Sequence, residues 1–112
     1  VEQTEPEGTH WVRTTLNVLG GKWKILILWH LRKGAKRYSA LRRSIPEISE
    51  KMLISQLKEL EKDEIVRRTV LRSVPPQVEY AFTPHGDTLL PVLEALCAWG
   101  EYHEKQLLSS CD

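Results

Sequence analysis

The stretch Ile48-Ser49-Glu50-Lys51-Met52-Leu53-Ile54-Ser55-Gln56-Leu57-Lys58-Glu59-Leu60-Glu61-Lys62-Asp63 limits the fold of this chain more than any other. At about 100° per residue, Leu57 and Leu60 fall within about 40° of Leu53, while Lys51, Ser55, Lys58 and Lys62 fall within about 40° of the opposite pole. The spacing predicts a helix over residues 49–63 with one face to bury and one cationic face. Ser49 offers a side-chain acceptor to the free N–H groups of the first turn, and Glu50 sets negative charge at the positive end of the helix dipole. A solvated lysine face on an ordinary amphipathic helix explains this stretch as well as a nucleic-acid contact does. The flanking sequence decides between them.

Upstream, Ser39-Ala40-Leu41-Arg42-Arg43-Ser44-Ile45 reads as a short helix with Leu41 and Ile45 turned inward at i, i+4. Pro46-Glu47-Ile48 is a turn, because the residue before a proline is pushed away from helical geometry. Two helices joined this closely form a helix-turn-helix unit, and the second is the one suited to a major groove. Downstream, residues 66–74 and 77–82 read as two strands on either side of Pro75-Pro76, a wing beside that second helix. The expected fold is mainly α with a small β-hairpin wing: a winged helix-turn-helix.

These residues resemble a known family. Leu19-Gly20-Gly21-Lys22-Trp23, Arg37-Tyr38-Ser39-Ala40-Leu41, Ile45-Pro46-Glu47-Ile48-Ser49-Glu50-Lys51-Met52-Leu53, Leu57-Lys58-Glu59-Leu60-Glu61 and the run from Pro75 to Gly86 are similar to the HxlR-type winged helix-turn-helix transcription regulators. The resemblance spans about residues 12 to 100. It implies a dimeric bacterial DNA-binding regulator. Three positions depart from the family pattern. His10 stands where some members carry a reactive cysteine, which excludes thiol sensing at that position. Gln77 stands where an arginine is frequent, and Glu64 where glycine is usual.

The charge distribution agrees with a nucleic-acid partner. Net charge is +1 over 112 residues, but residues 22–72 carry +8 against −2 before them and −5 after them. Positive charge is thus concentrated on the helix-turn-helix and its neighbours, as release of phosphate-bound counterions requires. A chain this short makes one domain. Residues 1–9 are expected to form a flexible arm and residues 10–112 a single domain. No apolar run approaches a membrane span, so the expected location is the cytoplasm.

A first helix is expected over residues 10–19, ended by Gly20-Gly21. A core helix follows over residues 22–31, apolar nearly all round. Thr83-Pro84 opens a last helix, with a hydroxyl at the cap and proline in the first turn. Its stripe of Leu89, Val92, Leu93, Leu96, Trp99, His103 and Leu107 offers more apolar surface than a terminal helix of so small a monomer buries. With Trp11 of the first helix alongside, this stripe is the expected homodimer interface.

Catalysis and metal binding find no support. There is no phosphate loop, HExxH or nucleophile elbow, and the four histidines are isolated. Cys97 and His103 lie about 120° apart on a helix, too far round to share a metal. Cys97 reads either as a small buried hydrophobe or as a redox or electrophile sensor, and Cys111 falls in the tail. No cofactor is expected; a small-molecule effector stays open.

The candidate DNA contacts are Lys51, Ser55 and Ile54 at base edges, Lys58, Lys62, Ser39, Arg42 and Arg72 at phosphates, and Gln77 on the wing. Lys36, Arg37 and Arg43 are as consistent with phosphate contact as with solvated charge. The rival reading is a winged-helix protein-interaction module without DNA, for which lysines at 51, 58 and 62 together have no use.

Overall fold

The structure is a computed structural model that describes residues 5–109. The elements run α1 (Thr9–Leu19), α2 (Trp23–Leu31), β1 (Lys36–Arg37), α3 (Tyr38–Ser44), α4 (Glu50–Lys62), β2 (Val66–Ser73), β3 (Pro76–Phe82), α5 (Pro84–Asp87) and α6 (Leu90–Ser109). Part of the expected arm is structured. Arg13 forms an ion pair with Glu5, and the Thr9 hydroxyl donates to the Pro6 carbonyl at 2.6 Å. The remainder of that arm, and Cys111, lie outside the described residues.

The core is built from α2, α3, α4 and the base of the wing. Ile27, Leu28 and Leu31 of α2 meet Leu41 of α3, Leu53, Leu57 and Leu60 of α4, and Val66 and Tyr80 of the sheet. Helix α2 bears apolar side chains all round because it is covered on several sides, by α3, α4, α6 and β3. Within it lies a buried lysine. Lys24 Nζ donates to Glu59 Oε1 of α4 at 2.6 Å, an ion pair linking the core helix to α4.

Two features depart from expectation. The sheet has three strands in the order β1-β3-β2, because Lys36 and Arg37 pair antiparallel with Tyr80 and Glu79. The last helix is also interrupted. Thr83 caps α5, its hydroxyl accepting from the Gly86 N–H at 2.9 Å, but at Thr88 and Leu89 the α-helix gives way to a turn, with N–H groups donating three residues back to His85 and Gly86, before α6 begins. Pro91 explains the restart: without an N–H it cannot donate back into a preceding turn, and it is tolerated in the first turn of a new helix. The break seats α5 against the wing's base. A Cβ on Gly86 would lie 2.0 Å from the Ile65 carbonyl oxygen, so glycine is required there.

Leu93 is a correction. It was expected at an interface with a second chain, yet it is fully buried in its own chain's core. After the break at 88–89, the first turn of α6 docks on α2, which carries Leu93 inward.

Candidate nucleic-acid interface

Helix α4 presents its cationic side to solvent because three leucines hold the other side down. Leu53, Leu57 and Leu60 have 0% exposure, while Lys51, Ile54, Ser55, Lys58 and Lys62 are exposed. Its start is fixed by Ser49, whose Oγ accepts from the Met52 N–H at 3.1 Å. Its end is fixed by a pair of reversed hydrogen bonds: Ile65 N–H donates to the Leu60 carbonyl and Glu64 N–H to that of Glu61, both at 2.9 Å. This closure needs a left-handed residue, and Glu64 adopts φ 59°. The family's usual glycine geometry is therefore kept by a glutamate.

The turn into α4 is braced by a residue that sequence reasoning placed elsewhere. Arg42 Nη1 donates to the Ile48 carbonyl at 2.9 Å, closing the corner between α3 and α4. Arg42 is thus committed within the chain, where a free phosphate contact was expected. Arg32 likewise stacks over the Trp29 ring at 3.6 Å, and Lys22 over Trp23 at 4.6 Å. With Lys24 buried, four cations of the basic segment serve packing. The roles of Lys24 and Arg42 depend on how the helices pack, and no local pattern announces them, whereas Arg32 and Lys22 pair with rings close by in sequence.

The wing carries Arg72 and Gln77 as cross-strand partners near its tip. An extra residue, Leu71, bulges β2 between Val70 and Arg72, so Arg72 is re-aimed relative to Arg68. Arg68 opposes Tyr80, whose other neighbour is Lys36. Burial raises the Tyr80 pKa above 10.0, with the Glu61 carboxylate adding to the rise and Arg68 opposing it. Tyr38 is raised too, by burial first and then by Glu50. Both phenols stay protonated at neutral pH.

Between α4 and the wing lies a cleft of about 610 Å³, bordered by Ser39, Ile54, Lys58, Arg68 and Gln77. Four of the predicted contacts, Ser39, Ile54, Lys58 and Gln77, are therefore brought to one concavity. Lys51 and Ser55 line a shallower groove on the outer side of α4, again with Ile54 and Lys58. Lys62 and Arg72 line neither, and both are exposed. Arg37 and Arg68 also border the cleft. Arg68 was not singled out from the sequence, and the signal available was its period-two alternation with Val66 and Val70.

The remaining candidates are on the terminal helices. Trp11, Val92, Leu96, Trp99 and Leu107 are exposed, joined by Val12, Leu16, Tyr102 and Leu108. Leu89 is half-buried, and His103 stacks on Trp99 at 4.8 Å. Cys97 is exposed in the single chain. Among the described residues no group of three or more His, Cys, Asp or Glu is placed to hold a metal ion, and no helix is long and apolar enough to cross a membrane.

A cationic helix beside a wing, on a helix-turn-helix core, defines a DNA-binding transcription regulator. The family follows from comparison with known proteins: residues 18–107 match the HxlR-like helix-turn-helix model, and the chain belongs to that family. It is 51% identical to the uncharacterised HTH-type transcriptional regulator YtcD of Bacillus subtilis (strain 168), over 82% of this chain and 73% of that protein. The crystal structure of the putative regulator ytcD superposes with a TM-score of 0.79 at 49% identity, covering 84% of this chain and 96% of that one. The redox regulator HypR in its reduced form superposes with a TM-score of 0.81 at 46% identity, covering 88% and 97%. These relatives are transcription regulators, so the interaction-module reading is not favoured.

Proposed function

We propose that the protein works in the cytoplasm as a homodimer on an inverted-repeat operator, with α4 of each copy in a major groove. Lys51 and Ser55 read base edges near the start of α4, and Ile54 meets a thymine methyl. Lys58, Lys62, Ser39 and Arg72 hold phosphates, and Gln77 approaches the backbone from the wing. Arg42 braces the corner that aims α4.

The observation that carries the dimer is the uncovered apolar surface of α1 and α6. Trp11 is 69% exposed and Trp99 62%, with Leu96 and Val92 on the same helix as Trp99. The radius of gyration is 17.1 Å, against about 13 Å for a compact chain of this length. A second copy covers such a surface with a two-fold axis, which sets the two recognition helices about one DNA turn, roughly 34 Å, apart.

The test is Leu96→Glu, which sets two carboxylates near that axis at a cost of several kcal/mol per dimer. Sedimentation is expected to give monomers of unchanged helical content, and titration with operator DNA to show affinity lost. An unmodified protein that sediments as a monomer at micromolar concentration overturns the homodimer, and a variant that stays a full-affinity dimer places the interface elsewhere.

A further inference from the structure

The cleft between α4 and the wing has two chemistries at once. Its cations are Arg37, Lys58 and Arg68, against the single carboxylate of Glu61. Its apolar walls come from Ile54, Pro76, Val78 and the rings of Tyr38 and Tyr80. A nucleic-acid strand accounts for the cations, because phosphates bind through charge and stay hydrated. Beyond Ile54, which the proposed thymine contact engages, it does not account for the apolar walls of Pro76, Val78 and the tyrosines, since a sugar-phosphate backbone has little apolar surface to set against them. At about 610 Å³ the space is that of an ordinary small-molecule site.

We propose that this cleft binds a small aromatic carboxylate, whose ring lies against Ile54, Val78 and the tyrosines while its carboxylate pairs with Arg37 and Lys58. Glu61 offsets Arg68 on the Tyr80 side and leaves Arg37 and Lys58 as the surplus positive charge. A single carboxylate, with two oxygens, can pair with both of these cations at once. Tyr38 is also free to adjust: its hydroxyl is buried with no hydrogen-bond partner among the described residues, so a shift of the ring sacrifices no bond. Because Lys58 is also a proposed phosphate contact, ligand and DNA exclude one another, and the ligand releases the operator. The direct binding claim is independent of the homodimer reading; the release claim rests on the proposed placement of DNA.

The test is titration of the DNA-free protein with 2-naphthoate, followed by calorimetry and by amide chemical shifts, with 2-naphthamide as the neutral control. Saturable binding, one per chain, is expected, with the amide at least about tenfold weaker. Shifts should centre on residues 37–39, 54–61 and 76–80. Arg37→Gln should erase the preference for the acid, and Val78→Trp should fill the cleft and abolish binding. Where Val78→Trp does not fold, Ile54→Trp fills the same space from the exposed face of α4. At ten times its own Kd, naphthoate should raise the apparent Kd for operator DNA about elevenfold for each cleft that must be empty, and so about 120-fold for a homodimer with both recognition helices engaged. Equal affinity for acid and amide, no saturation at millimolar naphthoate, or binding undiminished in a folded cleft-filling variant overturns the site. Naphthoate binding with unchanged DNA affinity overturns the release claim alone. Failure of the untreated protein to bind DNA strikes at the proposed function, and the DNA-free titration still decides the site.

Discussion

Helices α4 and α6 both carry an apolar stripe at helical spacing, yet they meet opposite fates. In α4 each of the three stripe leucines is fully buried, against α2 and the base of β2 within the same chain. In α6, twenty residues long, Leu93 is the buried residue, while Val92, Leu96, Trp99, Tyr102 and Leu108 remain exposed. Periodicity records that a face needs cover. It does not record which chain supplies the cover.

The largest effect expected from this contrast is in the core. Leu57→Ala removes a side chain with 0% exposure and should cost about 2–5 kcal/mol, because the surrounding helices only partly collapse into the space. Urea unfolding of the variant measures it. The loss should be the same at every protein concentration when read as a difference in folding within one chain, whereas the unfolding midpoint of the proposed homodimer should rise with concentration. A cost below about 1 kcal/mol would erase the distinction between the two stripes.

A smaller effect sharpens the comparison by asking how α4 is fastened to α2. Lys24 is buried, but its partner Glu59 has half of its side chain in solvent. The two halves of this ion pair are therefore unequal. Glu59→Ala leaves an ammonium buried without its partner and should cost about 1–3 kcal/mol, below the range for a fully buried pair because Glu59 is itself half hydrated. Lys24→Met keeps a similar volume, removes the charge and leaves Glu59 in water, so it should stay within about 1 kcal/mol of neutral. Chemical denaturation of the two variants side by side checks the asymmetry. Equal losses would mean that the bond matters as a unit and that burial of Lys24 does not.

What the sequence made legible follows the same division between local and non-local causes. Ser49 and Thr83 both cap helices through hydrogen bonds to the third residue onward, and each was readable from its own neighbourhood. So were the α4 stripe and the two wing strands. Strand β1 was not, since two residues, Lys36 and Arg37, carry no periodicity and pair because Tyr80 and Glu79 lie alongside. The break before α6 had a visible cause in Pro91, but a stripe that continued through Leu89 masked it. Within the interface, Lys51, Ser55, Lys58 and Lys62 were legible as a cationic pole of one helix. Arg42 was not, because its bond to the Ile48 carbonyl depends on how tightly the corner closes. Leu93 failed for a like reason: its spacing matched Leu96, and the docking of one turn on α2 separated them.

The smallest effect concerns the end of α4, where a local rule is broken and the fold accommodates it. Glu64 has φ 59°, a conformation in which a Cβ meets the following carbonyl at a cost of about 1 kcal/mol. The two reversed hydrogen bonds to Leu60 and Glu61 hold it there, and Ile65, the next residue, is carried into the core. Glu64→Gly removes the strain but gives the unfolded chain more freedom, so the net gain should be at most about 0.5 kcal/mol. Charge is a competing cause, because Glu64 lies with Glu61 and Asp63 at the negative end of the helix dipole. Glu64→Ala separates the two, since alanine loses the carboxylate and keeps the Cβ. Strain as the cause predicts a gain for glycine, a smaller gain for asparagine and none for alanine, read as shifts in the urea midpoint at unchanged slope. Should alanine stabilise as much as glycine, repulsion at the helix end is responsible and the left-handed backbone is not.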